Sequence, residues 1–365
     1  MTNTLKQLAA AGTSPWLDNI RRGWLQSGEF RRMVDDGVVG VTSNPTIFQK
    51  AIADSTDYDS AVAALAASGA TPTDTFFELA IADVREAADQ IRGVYDATGH
   101  LDGYVSFELP PAMANDTAKS IAAAPDFFRR IDRPNVYIKI PGTSAGAPAI
   151  EETIAAGVKV NVTLLFSLKN YQAVHEAYIR GLERRVEAGQ PIDDLHSVAS
   201  FFVSRVDTAV DKLLPEDSPL RGKAAIANAK LAYQSFLETT GSDRWRALEA
   251  KGARVQRPLW ASTGTKNPEY SDVLYVDNLI GPSCVNTMPE TTIAAFQDHG
   301  VVERTVDDDV DEARRVIEQV EAAGISMDEV TRKLEEEGVA AFSESFDSLI
   351  ETIEGRLGEM GRSAA

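Results

Sequence analysis

The feature that most restricts this chain is an alternation. Eight short runs rich in β-branched and aromatic residues are each followed by a longer segment with helical spacing. The runs fall at residues 14–18, 37–45, 103–109, 136–143, 158–166, 197–203, 255–262 and 284–289. Between them, Phe77, Ala80, Ile81 and Val84 share one helical face within residues 57–98. Tyr171, Val174, Tyr178, Leu182 and Val186 form a second apolar stripe, behind an N-cap candidate, Ser167. Strands alternating with helices predict a parallel sheet covered by its crossover helices. No glycine-rich phosphate loop follows the first run, and GTSAG at 142–146 matches neither a Walker nor a dinucleotide-binding pattern, so it reads as a loop. The expected fold is therefore an α/β fold of the closed (β/α)8 TIM-barrel type with additional C-terminal helices. Residues 1–365 are expected to form a single barrel domain, with 305–365 as a helical extension packed on it. In that extension Ser326 and Glu329 suggest a capping box, and Phe342, Phe346, Leu349, Ile350, Ile353 and Leu357 mark one buried face. The acidic runs at 307–309 and 335–337 read as solvated helix surface.

Side chains alternate between the two faces of a strand, and in closed barrels the chemistry sits at the C-terminal strand ends. The fourth run, VYIKIPGT, places Lys139 with Tyr137 on one face and Val136, Ile138 and Ile140 on the other. A lysine there is either structural, paired or snorkelling to the surface, or an amine that desolvation holds neutral and nucleophilic. Other polar residues fall at the same end. Asp18 closes the first run, and Asn44 is held extended before Pro45. Glu108 lies on the face of Tyr104 and Ser106, Asn161 shares a face with Thr163, and Ser200 with Phe202. Arg205 stands where the sixth strand gives way to a helix, and Ser262 and Lys266 follow the seventh. Each has a plain alternative: Asp18 as a helix cap, Asn44 as a turn former, Thr163 as a strand former, Ser200 as a small core residue. Those alternatives must jointly explain why so many polar groups converge on one end of one barrel.

Composition excludes several function classes. With 365 residues and 44% hydrophobic content the chain can build a large core, and a net charge of −19 argues against a general nucleic-acid surface. One cysteine, Cys284, cannot form an intramolecular disulfide and reads as a buried thiol, and the four histidines form no metal-ligand spacing. The N-terminus has no signal-peptide pattern and no run reaches membrane-span length, so a cytoplasmic protein without a membrane partner is expected. Monomer and homodimer are both compatible with the sequence.

The motifs VTSNPTIF, VYIKIPGT, NVTLLFS, ASFFVSRVDTAVD and ASTGTKNPEYSD, in this order, resemble the transaldolase family of the pentose-phosphate pathway over roughly residues 14–289. The resemblance implies that Lys139 is the Schiff-base lysine, Asp18 the acid/base at the bond being broken, and Glu108 with Thr163 the pair that manages a catalytic water. It implies that Asn44, Asn161, Ser200 and Ser262 bind the sugar, with Phe202 lining the pocket and Arg205 meeting the phosphate. Many members of the family carry arginine in a motif like ASFRN where this chain has ASTGTKN, which leaves Lys266 as a point charge in place of a bidentate fork. The glutamate strand ends ELPP instead of a sequence nearer EVDP. The implied reaction transfers a dihydroxyacetone unit from sedoheptulose 7-phosphate to glyceraldehyde 3-phosphate, giving erythrose 4-phosphate and fructose 6-phosphate. No cofactor or metal is implied, because the iminium on Lys139 serves as the electron sink. Two rivals remain: an aldolase on the same scaffold that releases dihydroxyacetone to water, and a non-catalytic phosphosugar-binding barrel in which Lys139 is structural.

Overall fold

Each apolar run contributes one strand. In chain order these are β1 (Thr13–Leu17), β2 (Gly40–Val41), β3 (Tyr104–Glu108), β4 (Val136–Pro141), β5 (Val160–Leu165), β6 (Ser197–Phe202), β7 (Gln256–Ala261) and β8 (Cys284–Met288). They pair in parallel in sequence order, and β8 returns to β1 to close the barrel. The computed structural model describes residues 3–363, so the first two and last two residues of the expected 1–365 span lie outside the described residues.

The register carries the alternation around the ring. Trp16 pairs with Gly40, Ser106 with Tyr137, Glu108 with Lys139 and Lys139 with Asn161, so these residues all face the interior. The regular part of β2 is much shorter than residues 37–45. Gly40 lies under the Trp16 indole, where a Cβ would stand 2.3 Å from the ring, and Asn44 already begins a helix. That helix, Pro45–Ala53, opens with proline at its first turn, the position where a missing N–H costs nothing.

The barrel floor is filled and the mouth is polar. At the floor Trp16 stacks on Tyr137 with centroids 6.1 Å apart, and Tyr137 stacks on Tyr104 at 4.2 Å. Below them Arg257 reaches Asp102 at 3.0 Å and the carbonyl of Cys284 at 2.7 Å, while Ser14 donates to Asp102 at 2.7 Å. Such further hydrogen bonds offset the desolvation of a buried ion pair, although Arg257 Nε is left without a partner among the described residues. Cys284 is fully buried, and desolvation pushes its thiol up to about 12.

The C-terminal segment forms helices Val310–Ala322 and Met327–Ser363. The long helix packs on Pro45–Ala53, Asp59–Ala67, Pro72–Gln90 and Ser204–Asp211, and so crosses the C-terminal face of the barrel. Phe342, Leu349 and Ile353 are buried along it, and Phe346 meets Phe76 edge-on at 5.5 Å. Ser326 Oγ accepts from the Glu329 N–H at 3.3 Å, but among the described residues no return bond from Glu329 completes the expected capping box. Residues 307–309 form a turn before the helix instead of helix surface, and Glu335 hydrogen-bonds Asn170. The loop expected at 142–146 ends one residue earlier, since Gly146 already opens helix Gly146–Ala155. Among the described residues no helix is long and apolar enough to cross a membrane.

Candidate active site

Lys139 occupies the fourth position of β4, and its side chain rises inside the barrel with only 5% of the residue exposed. Its Nζ donates to Glu108 Oε2 at 2.8 Å and to the carbonyl of Ser43 at 2.9 Å. The pairing follows from register, since Glu108 and Lys139 are direct partners on adjacent strands with the same inward face. Phe48, Phe76, Phe77, Phe107 and Phe346 line a small recess against Glu108. That desolvation raises the Glu108 carboxyl above its ordinary range, with the charge and hydrogen bond of Lys139 opposing it.

Asp18 stands one residue beyond β1 and caps no helix, since the next one starts from an Arg21 cap that contributes no side-chain bond. Its Oδ1 accepts from Thr42 Oγ1 at 2.7 Å, and Thr42 in turn lies 2.7 Å from Thr287 Oγ1. If Thr42 donates to the carboxylate, Thr287 is left to donate to Thr42, a chain that fixes the rotamer of Asp18. Burial raises the Asp18 carboxyl, while Thr42, Lys139 and Arg205 pull it down and Glu290 pushes it up. The catalytic candidates are thus within electrostatic reach of one another.

On the other side of Lys139, Ser200 Oγ donates to Asn161 Oδ1 at 2.7 Å, and Asn161 Nδ2 donates to Ser106 Oγ at 3.0 Å. This chain sets the amide orientation of Asn161. Thr163 Oγ1 is buried without a protein partner among the described residues. It stands where the register of β5 against β6 shifts between Val162 and Leu165 and Leu164 takes φ +57°, an irregularity of the kind that re-aims a side chain beside a site. The strict alternation expected over 158–166 therefore breaks at Leu164.

A cleft of about 590 Å³ opens above these residues. Asp18, Asn44, Lys139, Thr163, Ser200, Phe202, Arg205, Ser262 and Lys266 line it, so nine of the eleven expected site residues share one wall. Glu108 and Asn161 do not reach that wall and lie beneath it, bonded to Lys139 and Ser200 respectively. Asn44 is both cap and lining residue. Its Oδ1 accepts from Ile47 N at 3.0 Å, which leaves the amide NH2 for a ligand. Ser262 sits at φ +56° with its hydroxyl 2.9 Å from that of Ser204.

The cations are the remaining feature. Arg21, Lys50, Arg205 and Lys266 surround the cleft of a strongly acidic protein. Arg21 is matched by Glu290 at 3.3 Å. Arg205 is not: its guanidinium lies over the Phe202 ring at 5.3 Å and makes no ion pair or hydrogen bond among the described residues. Burial lowers its pKa, and the Asp18 charge opposes this. Lys266 is exposed and likewise has no partner among the described residues. Unmatched cations at the edge of a cleft favour an anionic ligand.

Sequence reading missed Thr42, Thr287, Arg21, Lys50, Glu290 and Phe342. Thr42 was within reach, since it lies two residues from Gly40 on the inward face and inside the same motif as Asn44. Among the described residues no group of three or more His, Cys, Asp or Glu side chains is arranged to hold a metal.

Known proteins resemble this chain along nearly its whole length. Residues 15–353 match the model of the transaldolase/fructose-6-phosphate aldolase family. The chain belongs to that family. It is 48% identical to a transaldolase of Frankia alni, with 99% of each chain covered, and 48% identical to transaldolase 2 of Streptomyces coelicolor, with 98% of each covered. A transaldolase of Saccharopolyspora erythraea is 49% identical, covering 97% of this chain and 98% of its own. The family match runs from within β1 through β8 and over most of the long C-terminal helix.

Proposed function

We propose that this chain is a transaldolase that carries a dihydroxyacetone unit on Lys139 from a ketose phosphate to an aldose phosphate. The observation that carries the reading is the Lys139–Glu108 pair at 2.8 Å beneath a cleft lined by Asp18. Lys139 attacks the C2 carbonyl of the donor, and Glu108 accepts the ammonium proton. The same proton then serves the departing carbinolamine hydroxyl through a water held by Thr163, whose buried hydroxyl has no competing protein partner among the described residues. With the iminium formed, Asp18 removes the C4 hydroxyl proton, the C3–C4 bond breaks, and its electron pair moves onto the iminium as an enamine. An aldose phosphate leaves, and another reverses the steps. Asn44 and Ser200 hold sugar hydroxyls, with Asn161 orienting Ser200, and Phe202 and Ser262 complete the wall. Arg205 and Lys266 meet the phosphate. Such a role suits a cytoplasmic enzyme working on sugar-phosphate pools.

Arg205→Ala is expected to raise KM for erythrose 4-phosphate far more than for erythrose, since a charge-assisted phosphate contact is worth about 1.5–3 kcal/mol. Equal losses on both acceptors would assign Arg205 elsewhere.

The rival is an aldolase on the same scaffold. The small fructose 6-phosphate aldolases that resemble this family carry glutamine where Glu108 stands. Fructose 6-phosphate alone should give no more than a stoichiometric burst of glyceraldehyde 3-phosphate, because the covered site limits protonation of the enamine by water. Labelled fructose 6-phosphate with added erythrose 4-phosphate should deliver label into sedoheptulose 7-phosphate with sustained turnover. Continuous release of dihydroxyacetone without acceptor, at the transfer rate, would move the assignment to an aldolase.

A further inference from the structure

Beyond the cleft, two carboxylates on the helix that carries Arg205 are engaged in the same way. Asp207 and Asp211 stand one turn apart on Ser204–Asp211. Asp207 accepts the Ala225 N–H at 2.7 Å on one oxygen and the Tyr275 hydroxyl at 3.0 Å on the other. Asp211 accepts the Gly222 N–H at 3.0 Å and the Tyr270 hydroxyl at 2.8 Å. With the Ser204–Ser262 hydroxyl contact at 2.9 Å, each turn of the helix is tied once to the segment that runs from β7 through Lys266 to Tyr275. That segment is closed on itself by Thr265 Oγ1 bonding the Ser271 carbonyl at 2.8 Å. Gly222 takes φ +72° and lies against the Tyr270 ring, where a Cβ would stand 2.9 Å from Cζ, so the turn that offers its N–H to Asp211 fits best with glycine there.

Lys266 itself is exposed and has no partner among the described residues, and it borders both the active-site cleft and a second cleft of about 410 Å³ lined by Asp207, Asp211, Tyr270 and Tyr275. Its position is therefore set by its loop. The loop in turn is pinned by the two carboxylates to the helix whose second residue is Arg205.

We propose that Asp207 and Asp211, through Tyr275 and Tyr270, are positioning residues that fix Lys266 relative to Arg205 and so tune affinity for the phosphate end of the substrate without touching it. This rests on the reading of Arg205 and Lys266 as phosphate ligands. The paired tyrosines also give the loop a defence against exchange of its anchor. Each hydroxyl has one carboxylate oxygen to itself, and each remaining oxygen is claimed by a backbone N–H.

The test uses the full chain with erythrose 4-phosphate and erythrose as acceptors, and borohydride-trapped adduct as a check on Lys139. The double variant Tyr270→Phe/Tyr275→Phe removes only two hydroxyls. It should raise KM for erythrose 4-phosphate about tenfold, the order expected for losing hydrogen bonds to charged groups, with erythrose kinetics and adduct yield unchanged. Asp207→Asn should behave like the parent, because the asparagine oxygen can still accept from Ala225 and its NH2 can donate to the Tyr275 oxygen. If the double variant does not fold, Tyr270→Phe alone, at the half-buried tyrosine, gives the same comparison with a smaller change. Equal losses on both acceptors, or no change, in a background where Arg205→Ala separates them, would overturn the brace and leave the phosphate reading standing. Failure of Arg205→Ala to separate the acceptors would overturn both.

Discussion

Lys139→Met should have no turnover and no borohydride-trapped adduct, and it should still fold. Methionine keeps an unbranched stem of similar length in the barrel, so the loss is confined to Nζ. Two acceptors then lose their donor, the Ser43 carbonyl and Glu108 Oε2. An isolated buried carboxylate is costly, but a carboxyl can neutralise itself by binding a proton. Burial already raises Glu108, and the charge and hydrogen bond of Lys139 are what hold it down. Removing Lys139 moves the Glu108 carboxyl further up. The sign for stability follows. A carboxyl whose folded-state pKa lies above its unfolded value contributes stability that is fully present at low pH and is lost as pH rises through the folded value. The melting temperature of Lys139→Met should therefore approach that of the parent in mild acid and fall below it as pH is raised. Turnover that survives the substitution, with the adduct mapping to another lysine such as Lys159, would end the assignment. Lys159 is buried as deeply as Lys139, but it lies just before β5, at the N-terminal end of that strand and away from the cleft, bonded to Asp194 at 3.0 Å and to the Pro134 carbonyl at 2.9 Å.

What the sequence revealed of the site was whatever strand alternation could carry. Lys139, Glu108, Asn161 and Ser200 are legible because each interrupts an apolar strand on its inward face, and a closed barrel brings inward faces together. Asn44 was legible as the residue held extended before a proline, whereas its place as the cap of the next helix, bonded to Ile47, needed coordinates. The bond network of Asp18 was not legible. Thr42 and Thr287 are 245 positions apart and meet only because β8 closes on β1 beside β2. The irregularity in β5 was also hidden, since Leu164 is an ordinary strand residue by type and nothing local signals φ +57°.

The C-terminal helix illustrates the same limit. Its buried face was read correctly from Phe342, Leu349 and Ile353, but not what it covers. Phe342 lines the cleft, and Gly338, one turn earlier, lets the helix approach the mouth: a Cβ there would stand 3.0 Å from Leu164 and 3.7 Å from the Arg205 guanidinium. Periodicity identifies a face to be buried, and only the chain's three-dimensional path identifies its partner.

Glu108→Gln is the second large effect, and it separates the glutamate's proton from its shape. Glutamine keeps an oxygen that can accept from Lys139 Nζ, so the lysine should stay where the 2.8 Å bond now holds it. What is lost is a group able to take the ammonium proton and return it to the carbinolamine hydroxyl. Single-turnover formation of the trapped adduct should slow by about 10²–10⁴, the usual contribution of a general acid/base, with a much smaller change in substrate binding. The pH dependence gives a second readout. Dehydration needs Glu108 protonated and bond cleavage needs Asp18 ionised, and burial raises both carboxyls. The parent should lose activity on the alkaline side as Glu108 gives up its proton, and on the acid side as Asp18 gains one, at a pH above the ordinary aspartate range. The glutamine variant has no proton to lose at 108, so the alkaline limb that belongs to Glu108 should flatten while the acid limb of Asp18 remains. A change confined to KM, or an alkaline limb unaltered in the variant, would take the proton-handling role away from Glu108 and leave it as the residue that aims Lys139.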